Sequence, residues 1–274
     1  MAWSWSGRVV VVTGAASGIG RRVALDAAGR GATVVAAARR ADLLDEVVGE
    51  CRRHAPHSRA VVTDLAAPGA PEALVASAEE QEGAIDVLVN NAAVSMRVHA
   101  RNLTADQVER TMRVNFEVPV RTTLAALPAM LARGRGHVVN VSSVAGRVAS
   151  PREAAYTASK FALSGWTDAM ASDLAGSGVS LHLVHPGPID TDIWSTLAEP
   201  ASYRGRFYPP ERVSAAVLGC VERGRYERWV PAWMGLLPLV RTVAPRAYVT
   251  AAGLFDRRGV RRAISPRGPG TPAG

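Results

Sequence analysis

Lysine is all but missing from this chain: of its 32 basic residues, Lys160 is the one lysine. Everywhere else positive charge is carried by arginine, so a compact ammonium with rotatable donors is wanted at position 160, not charge alone. Cysteine is nearly as scarce, with only Cys51 and Cys220 present. Two thiols so far apart exclude a disulfide-stapled scaffold and a cysteine metal site, and they favour a reducing, cytoplasmic setting. Aromatic residues make up 5% of the chain. No apolar run reaches the length of an ordinary membrane span. The opening Met1-Ala2-Trp3-Ser4-Trp5-Ser6-Gly7 has no continuous apolar segment and no cleavage site, so the expectation is a protein that stays inside the cell. Acids are lacking at the other end, where Arg257 to Gly274 holds five arginines and no carboxylate. That stretch is rich in Gly and Pro, and two readings stand: disorder, or an arm for nucleic acid or anionic lipid, of which disorder is favoured and no nucleic-acid partner is expected.

What is present fits an α/β protein. A chain of 274 residues, 48% hydrophobic and 20% charged, has enough apolar material for a sizeable core in one large domain or two small ones. Val9-Val10-Val11-Val12 is a β-branched run suited to a strand buried on both faces of a parallel sheet. It leads into Thr13-Gly14-Ala15-Ala16-Ser17-Gly18-Ile19-Gly20 and then a helical pattern from Arg21 to Arg30. Strand, glycine turn and helix together suit a phosphate, because glycines let the backbone approach a pyrophosphate and the helix N-terminus offers free N–H groups. The spacing, Gly-x-x-x-Gly-x-Gly, departs from the commoner Gly-x-Gly-x-x-Gly.

The second strand, Thr33 to Ala38, ends in Arg39-Arg40. A carboxylate there would accept from a ribose 2′-hydroxyl, whereas cations suit a 2′-phosphate. The pair therefore predicts NADP(H) over NAD(H), with Arg39 as the main phosphate contact and Arg40 in support. Ala60 to Leu65 reads as a third strand, with Asp64 either capping a turn or contacting an adenine. Ile85 to Ala93 reads as a fourth, closing on Asn90-Asn91-Ala92-Ala93, whose small residues leave room for a flat ligand. Thr104 to Ala132 looks helical, with Asn115 inside it as either a packed core amide or a local break.

Gly136 to Val141 is the fifth strand, and Ser142-Ser143 falls at its carboxyl end, where open α/β sheets bind ligands. The helix that follows carries Tyr156 and Lys160, four apart and so on one face. A fixed cation favours phenolate and moves a phenol toward neutrality, so this pair suits proton transfer. Tyr-x-x-x-Lys also arises on ordinary helix surfaces, and alone it decides little. Ser180 to His185 is a sixth strand and delivers Pro186-Gly187-Pro188-Ile189-Asp190-Thr191 to the same sheet edge.

With these motifs in this order, the chain resembles the classical short-chain dehydrogenase/reductase family over residues 7–230. The resemblance implies a Rossmann-type doubly wound parallel sheet with helices on both faces. It implies cofactor contacts at Thr13, Gly14, Ser17, Gly18, Ile19 and Gly20, at Asp64 and Leu65, at Asn91, Ala92 and Ala93, and at Pro186, Gly187, Ile189 and Thr191. Ala93 stands where the family often has glycine. It also implies a catalytic tetrad of Asn115, Ser143, Tyr156 and Lys160, in which Tyr156 exchanges the proton, Ser143 steadies the carbonyl oxygen, Lys160 holds the nicotinamide ribose and Asn115 positions a water. No metal is implied. His137 and His185 read as structural strand residues.

The resulting division is a dinucleotide-binding domain at 1–230, an apolar extension at 231–256 and a basic, disordered tail at 257–274. Trp229 to Val240 is apolar but broken by two prolines, and three readings are open: packing over the substrate site or its own core, a dimer contact, or membrane-surface attachment, which is the least favoured. A homo-oligomer is expected, with a dimer through the helices near 105–132 and 153–176. Ser95–Val98, Val144–Val148 and Ile193–Tyr208 are placed to face substrate, and their apolar residues suit a lipophilic carbonyl compound. An acidic substrate group is expected only if Arg97 or Arg147 turns inward. The alternative to an enzyme is a catalytically silent NADP(H)-binding sensor or scaffold.

Overall fold

The computed structural model describes residues 3–192, 194, 203 and 205–264, leaving aside the side chains of Phe255 and of 257–264. Seven strands form one parallel sheet: β1 (Val9–Thr13), β2 (Thr33–Ala38), β3 (Arg59–Val62), β4 (Val87–Asn90), β5 (Gly136–Val141), β6 (Val179–Pro186) and β7 (Glu227–Val230), in the order β3-β2-β1-β4-β5-β6-β7. The valine run explains the middle of it. Val10 and Val12 face one helical layer and Val11 the other, and all three are fully buried. With both faces covered, alternation disappears from the sequence and a continuous apolar run replaces it.

The helices are α1 (Gly18–Ala28), α2 (Ala41–Arg52), α3 (Ala70–Glu82), α4 (Ala105–Met112), α5 (Val118–Arg133), α6 (Ala154–Asp173), α7 (Pro210–Arg223), α8 (Leu237–Val243) and α9 (Pro245–Ile264). Strand order reverses between β1 and β4, which open a crevice at their carboxyl ends, where sheets of this kind take their ligands.

Four elements differ from expectation, one of them β4, which covers only Val87–Asn90 of the strand expected over 85–93. The helix expected over 104–132 is two helices joined by a π-helical turn, Arg113–Glu117, which inserts an extra residue and turns Asn115 inward. β3 stops at Val62, so Asp64 lies in the following loop, where its Oδ1 accepts from Ala66 N at 3.1 Å. The tail expected to be disordered from 257 continues α9 as far as Ile264; 265–274 lie outside the described residues.

Candidate active site

The glycine loop closes against the end of β4. Gly14 has φ +67°, and a Cβ added there would stand 2.9 Å from Ala92 Cα. At Gly20 a Cβ would come 2.3 Å from the Gly14 carbonyl oxygen. Only hydrogen fits at either place, which lets the loop lie flat over the strand ends. Thr13 fastens the two sides: its hydroxyl accepts from Asn91 N at 2.9 Å and Ala92 N at 3.0 Å, and Asn91 Nδ2 donates back to the Thr13 carbonyl at 3.0 Å. Below them Asn90 donates to Asn140 Oδ1 at 2.9 Å and to Thr123 at 3.1 Å, a fully buried amide network joining β4, β5 and α5. Polar groups so completely satisfied hold the strand ends in one arrangement.

At the exit of β2 both arginines are exposed, and Arg40 Nη2 donates to the Ser17 hydroxyl at 2.8 Å, which brings it to the mouth of the glycine loop. Ile19 lies in the first turn of α1, and Thr191 approaches the loop, with a Gly18 Cβ standing 3.0 Å from its methyl carbon. Gly187 N donates to the Val230 carbonyl at 2.8 Å just past Pro186, and Ile189 is buried beside Tyr208. Leu65 is buried, Asp64 exposed, and Ala92 and Ala93 half-buried. A loop that only hydrogen fills, a free helix start and two exposed cations, one of them bonded to Ser17, fit a dinucleotide phosphate.

The catalytic candidates converge beside it. Ser143 follows β5, Tyr156 and Lys160 lie one turn apart on α6, and Asn115 reaches in from the π turn. Lys160 is 2% exposed, its Nζ donating to the Val141 carbonyl at 3.0 Å and standing 5.9 Å from the centre of the Tyr156 ring. Burial pushes the Lys160 ammonium down to about 8 and the Tyr156 phenol up to about 12. A hydrogen bond with Ser143 draws the phenol the other way, and the Glu153 carboxylate pushes it further up. The expected lowering of the phenol by the lysine is not what this arrangement gives: loss of water is the largest influence on Tyr156, and its phenol is protonated at neutral pH.

Asn115 is fully buried and its amide is committed. Oδ1 accepts from Val94 N at 2.8 Å, while Nδ2 donates to the Val94 carbonyl at 2.9 Å and to Ser159 Oγ at 3.1 Å. Core amide and local break thus prove to be one feature, which ties the segment after β4 to the turn of α6 that carries Lys160. His185, expected to be a structural strand residue, braces the segment that carries Ser143. Its Nδ1 stands 2.9 Å from the Ser143 carbonyl oxygen and its Nε2 2.8 Å from Glu227, with the ring stacked on Trp229. Gly146 was not singled out by spacing either; a Cβ there would meet Ser142 Oγ at 2.4 Å and the Lys160 carbonyl at 2.9 Å, so its hydrogen lets the segment after Ser143 seat on α6.

Neither substrate-side arginine is free to meet an acid. Arg97 donates to Asp256 at 2.8 Å and lies 3.4 Å from Glu153, and Arg147 grips Asp168 at 2.7 and 2.8 Å. Most of the third substrate-facing segment, including Ile193 and 195–202, lies outside the described residues.

The family described as "short chain dehydrogenase" matches residues 8–201, most of the chain and every candidate catalytic and cofactor residue. The chain is a short-chain dehydrogenase/reductase. As such it is an oxidoreductase that works on CH–OH or C=O groups of small molecules with a nicotinamide dinucleotide. Among similar proteins, the uncharacterised oxidoreductase YxnA of Bacillus subtilis is 35% identical over 247 residues, covering 87% of this chain and 69% of that one. The dehydrogenase/reductase SDR family member 7B of Rattus norvegicus is 36% identical, over 68% of this chain and 59% of its own length. The 2-(R)-hydroxypropyl-CoM dehydrogenase of Xanthobacter autotrophicus is 41% identical, over 67% and 75%.

Proposed function

We propose that this short-chain dehydrogenase/reductase is an NADP(H)-dependent reductase of a lipophilic ketone or aldehyde, and that it works in the cytoplasm. The observation that carries the reading is the pairing of half-buried Tyr156 with buried Lys160 beside Ser143, next to a glycine loop flanked by two exposed arginines. The bound dinucleotide supplies or accepts the hydride; every other part falls to side chains of this chain. Tyr156 gives its phenolic proton to the substrate oxygen, and the Ser143 hydroxyl donates to that oxygen while negative charge builds on it. The Lys160 ammonium stabilises the phenolate left behind. Asn115 and His185 hold the segments after β4 and β5 in place, and with its amide committed to Val94 and Ser159, Asn115 acts as a positioning residue and not through a water on its side chain.

Arg39 and Arg40 support NADP(H), since the β2 exit has two cations where a 2′-hydroxyl would want an acid. A lipophilic substrate is supported by the commitment of Arg97 and Arg147 to protein carboxylates, which leaves Met96 and Val144 as the apolar contribution of their loops. The buried thiols of Cys51 and Cys220 are both unpaired, in keeping with a reducing compartment. The test is nicotinamide absorbance with NADPH or NADH against a panel of lipophilic ketones and aldehydes. Substrate-dependent oxidation of NADPH, weak with NADH, is expected. NADH preference would remove the arginine argument, and tight NADPH binding with no turnover across the panel would favour a sensor.

A further inference from the structure

The C-terminal extension leaves an apolar surface uncovered, and its charge identifies the surface it meets. Of the twelve large apolar side chains exposed among the described residues, seven lie between Trp233 and Leu254. Leu236, Leu239, Val240 and Val243 recur at intervals of three and four, so with Trp233 they form one stripe along the 3₁₀ turn Ala232–Leu236 and α8. Val243 is 84% exposed and Leu236 63%, so this stripe does not pack over the core or the substrate site. The extension is nonetheless fixed in place. Met234 is buried against Gly187, Arg241 lies 5.4 Å over the Phe161 ring of α6, and Tyr248 donates to the Ala149 carbonyl at 2.5 Å.

Charge decides between occupants. Residues 228–274 hold eight arginines and a single acid, Asp256, which is bound to Arg97 and Arg152; this segment carries +7 of the chain's +8. A second copy of the same surface would bring two such segments together against their mutual repulsion. An anionic lipid surface takes both features at once, the stripe entering the acyl boundary and the arginines resting on headgroups, with Trp233 suited to the interface between them. No described helix is long and apolar enough to cross a membrane, so the contact lies along the surface. We propose that the chain docks on anionic membranes through Trp233, Leu236, Leu239, Val240 and Val243. Because Asp256 and Tyr248 tie the extension to the segments flanking Tyr156, docking brings the substrate side to the bilayer, where lipophilic carbonyl compounds concentrate; this consequence, unlike the docking, rests on the proposed function.

The full chain is sedimented with vesicles of phosphatidylcholine alone or mixed with phosphatidylglycerol, at low and high salt. Binding to the mixed vesicles only, released by salt and weakened at least about 10-fold by Leu239→Glu/Val243→Glu, is expected. Both substituted positions are exposed, and thermal melting checks that the variant is folded. Failure to sediment with mixed vesicles overturns the proposal. Undiminished binding by the double variant also overturns it, assigning the contact to arginines alone. A dimer that the double variant abolishes, without vesicle binding, gives the stripe to a second copy instead. None of these readouts uses turnover, so their failure is distinct from failure of the reductase reading.

Discussion

A tyrosine that opens each reduction as proton donor has to be protonated at the working pH, and burial holds Tyr156 there by pushing its phenol up to about 12. The same burial lowers Lys160 to about 8, which puts its loss of charge inside the range where the enzyme is assayed. In the proposed reduction the ammonium present below about 8 steadies the forming phenolate, and above it that help is lost. The kcat/KM for carbonyl reduction is therefore expected to be level at lower pH and to fall as pH rises through about 8, with Tyr156 contributing no step there. A profile level to pH ~10, near the unperturbed lysine range, would remove Lys160 from that role. Tyr156→Phe should lower kcat by about 10³-fold with little change in cofactor affinity, measured by single-turnover absorbance and cofactor fluorescence. At the β2 exit, Arg39→Ala should weaken NADPH by about 10–100-fold, the worth of a charged hydrogen bond, and leave NADH nearly unchanged in a titration. Residue types and strand ends made these positions legible. The direction of Arg97 and Arg147 was not legible, because it is set by Asp256, Asp168 and Glu227, which lie far away in sequence.

At the scale of elements, the sequence marked strands well wherever both faces are buried and less well where they end. β1, β2 and β5 fall where their apolar runs lie, while β3 and β4 stop short because Asp64 and Asn91 turn to loop and cross-strand bonds. The π turn at Asn115 left only an ambiguous signal, a poor helix former inside a helical pattern, since its cause is a partner on another element, Val94. The extension was harder still. Its anchor is one acid in an arginine-rich stretch, and nothing local says that Asp256 reaches Arg97 and Arg152, both at 2.8 Å. Asp256 is 8% exposed, so Asp256→Ala leaves two partly or wholly buried guanidinium groups short of a carboxylate, at a cost of about 3 kcal/mol. Urea unfolding should show that loss, and hydrogen exchange should show α9 opening before the sheet. Unchanged exchange in α9 would mean that Tyr248 and Met234 hold the extension without the carboxylate.

For the whole molecule, a parallel sheet covered on both sides was readable because each buried strand announces itself as an apolar run and each ligand-bearing loop follows one. What the outer surfaces do is less readable, since an exposed leucine looks in sequence like a buried one. On α5, Leu124 and Leu131 are 49% and 41% exposed and seven residues apart, so both lie on the same side of the helix, away from the face that packs Ala126 and Met130 into the core. Two such helices meeting about a two-fold axis would bury these leucines against their counterparts, which is the contact we propose for a dimer. Unlike the C-terminal extension, this face brings no concentration of arginines together. Leu124→Glu/Leu131→Glu places like charges in that contact while leaving the core side of α5 untouched, and should convert the dimer to monomer in light scattering at micromolar concentration without lowering the melting temperature of the monomer itself. A dimer that survives the double substitution would move the interface off α5, and α6, which also lies beside Asn115 and the π turn, would be the next helix to test in the same way.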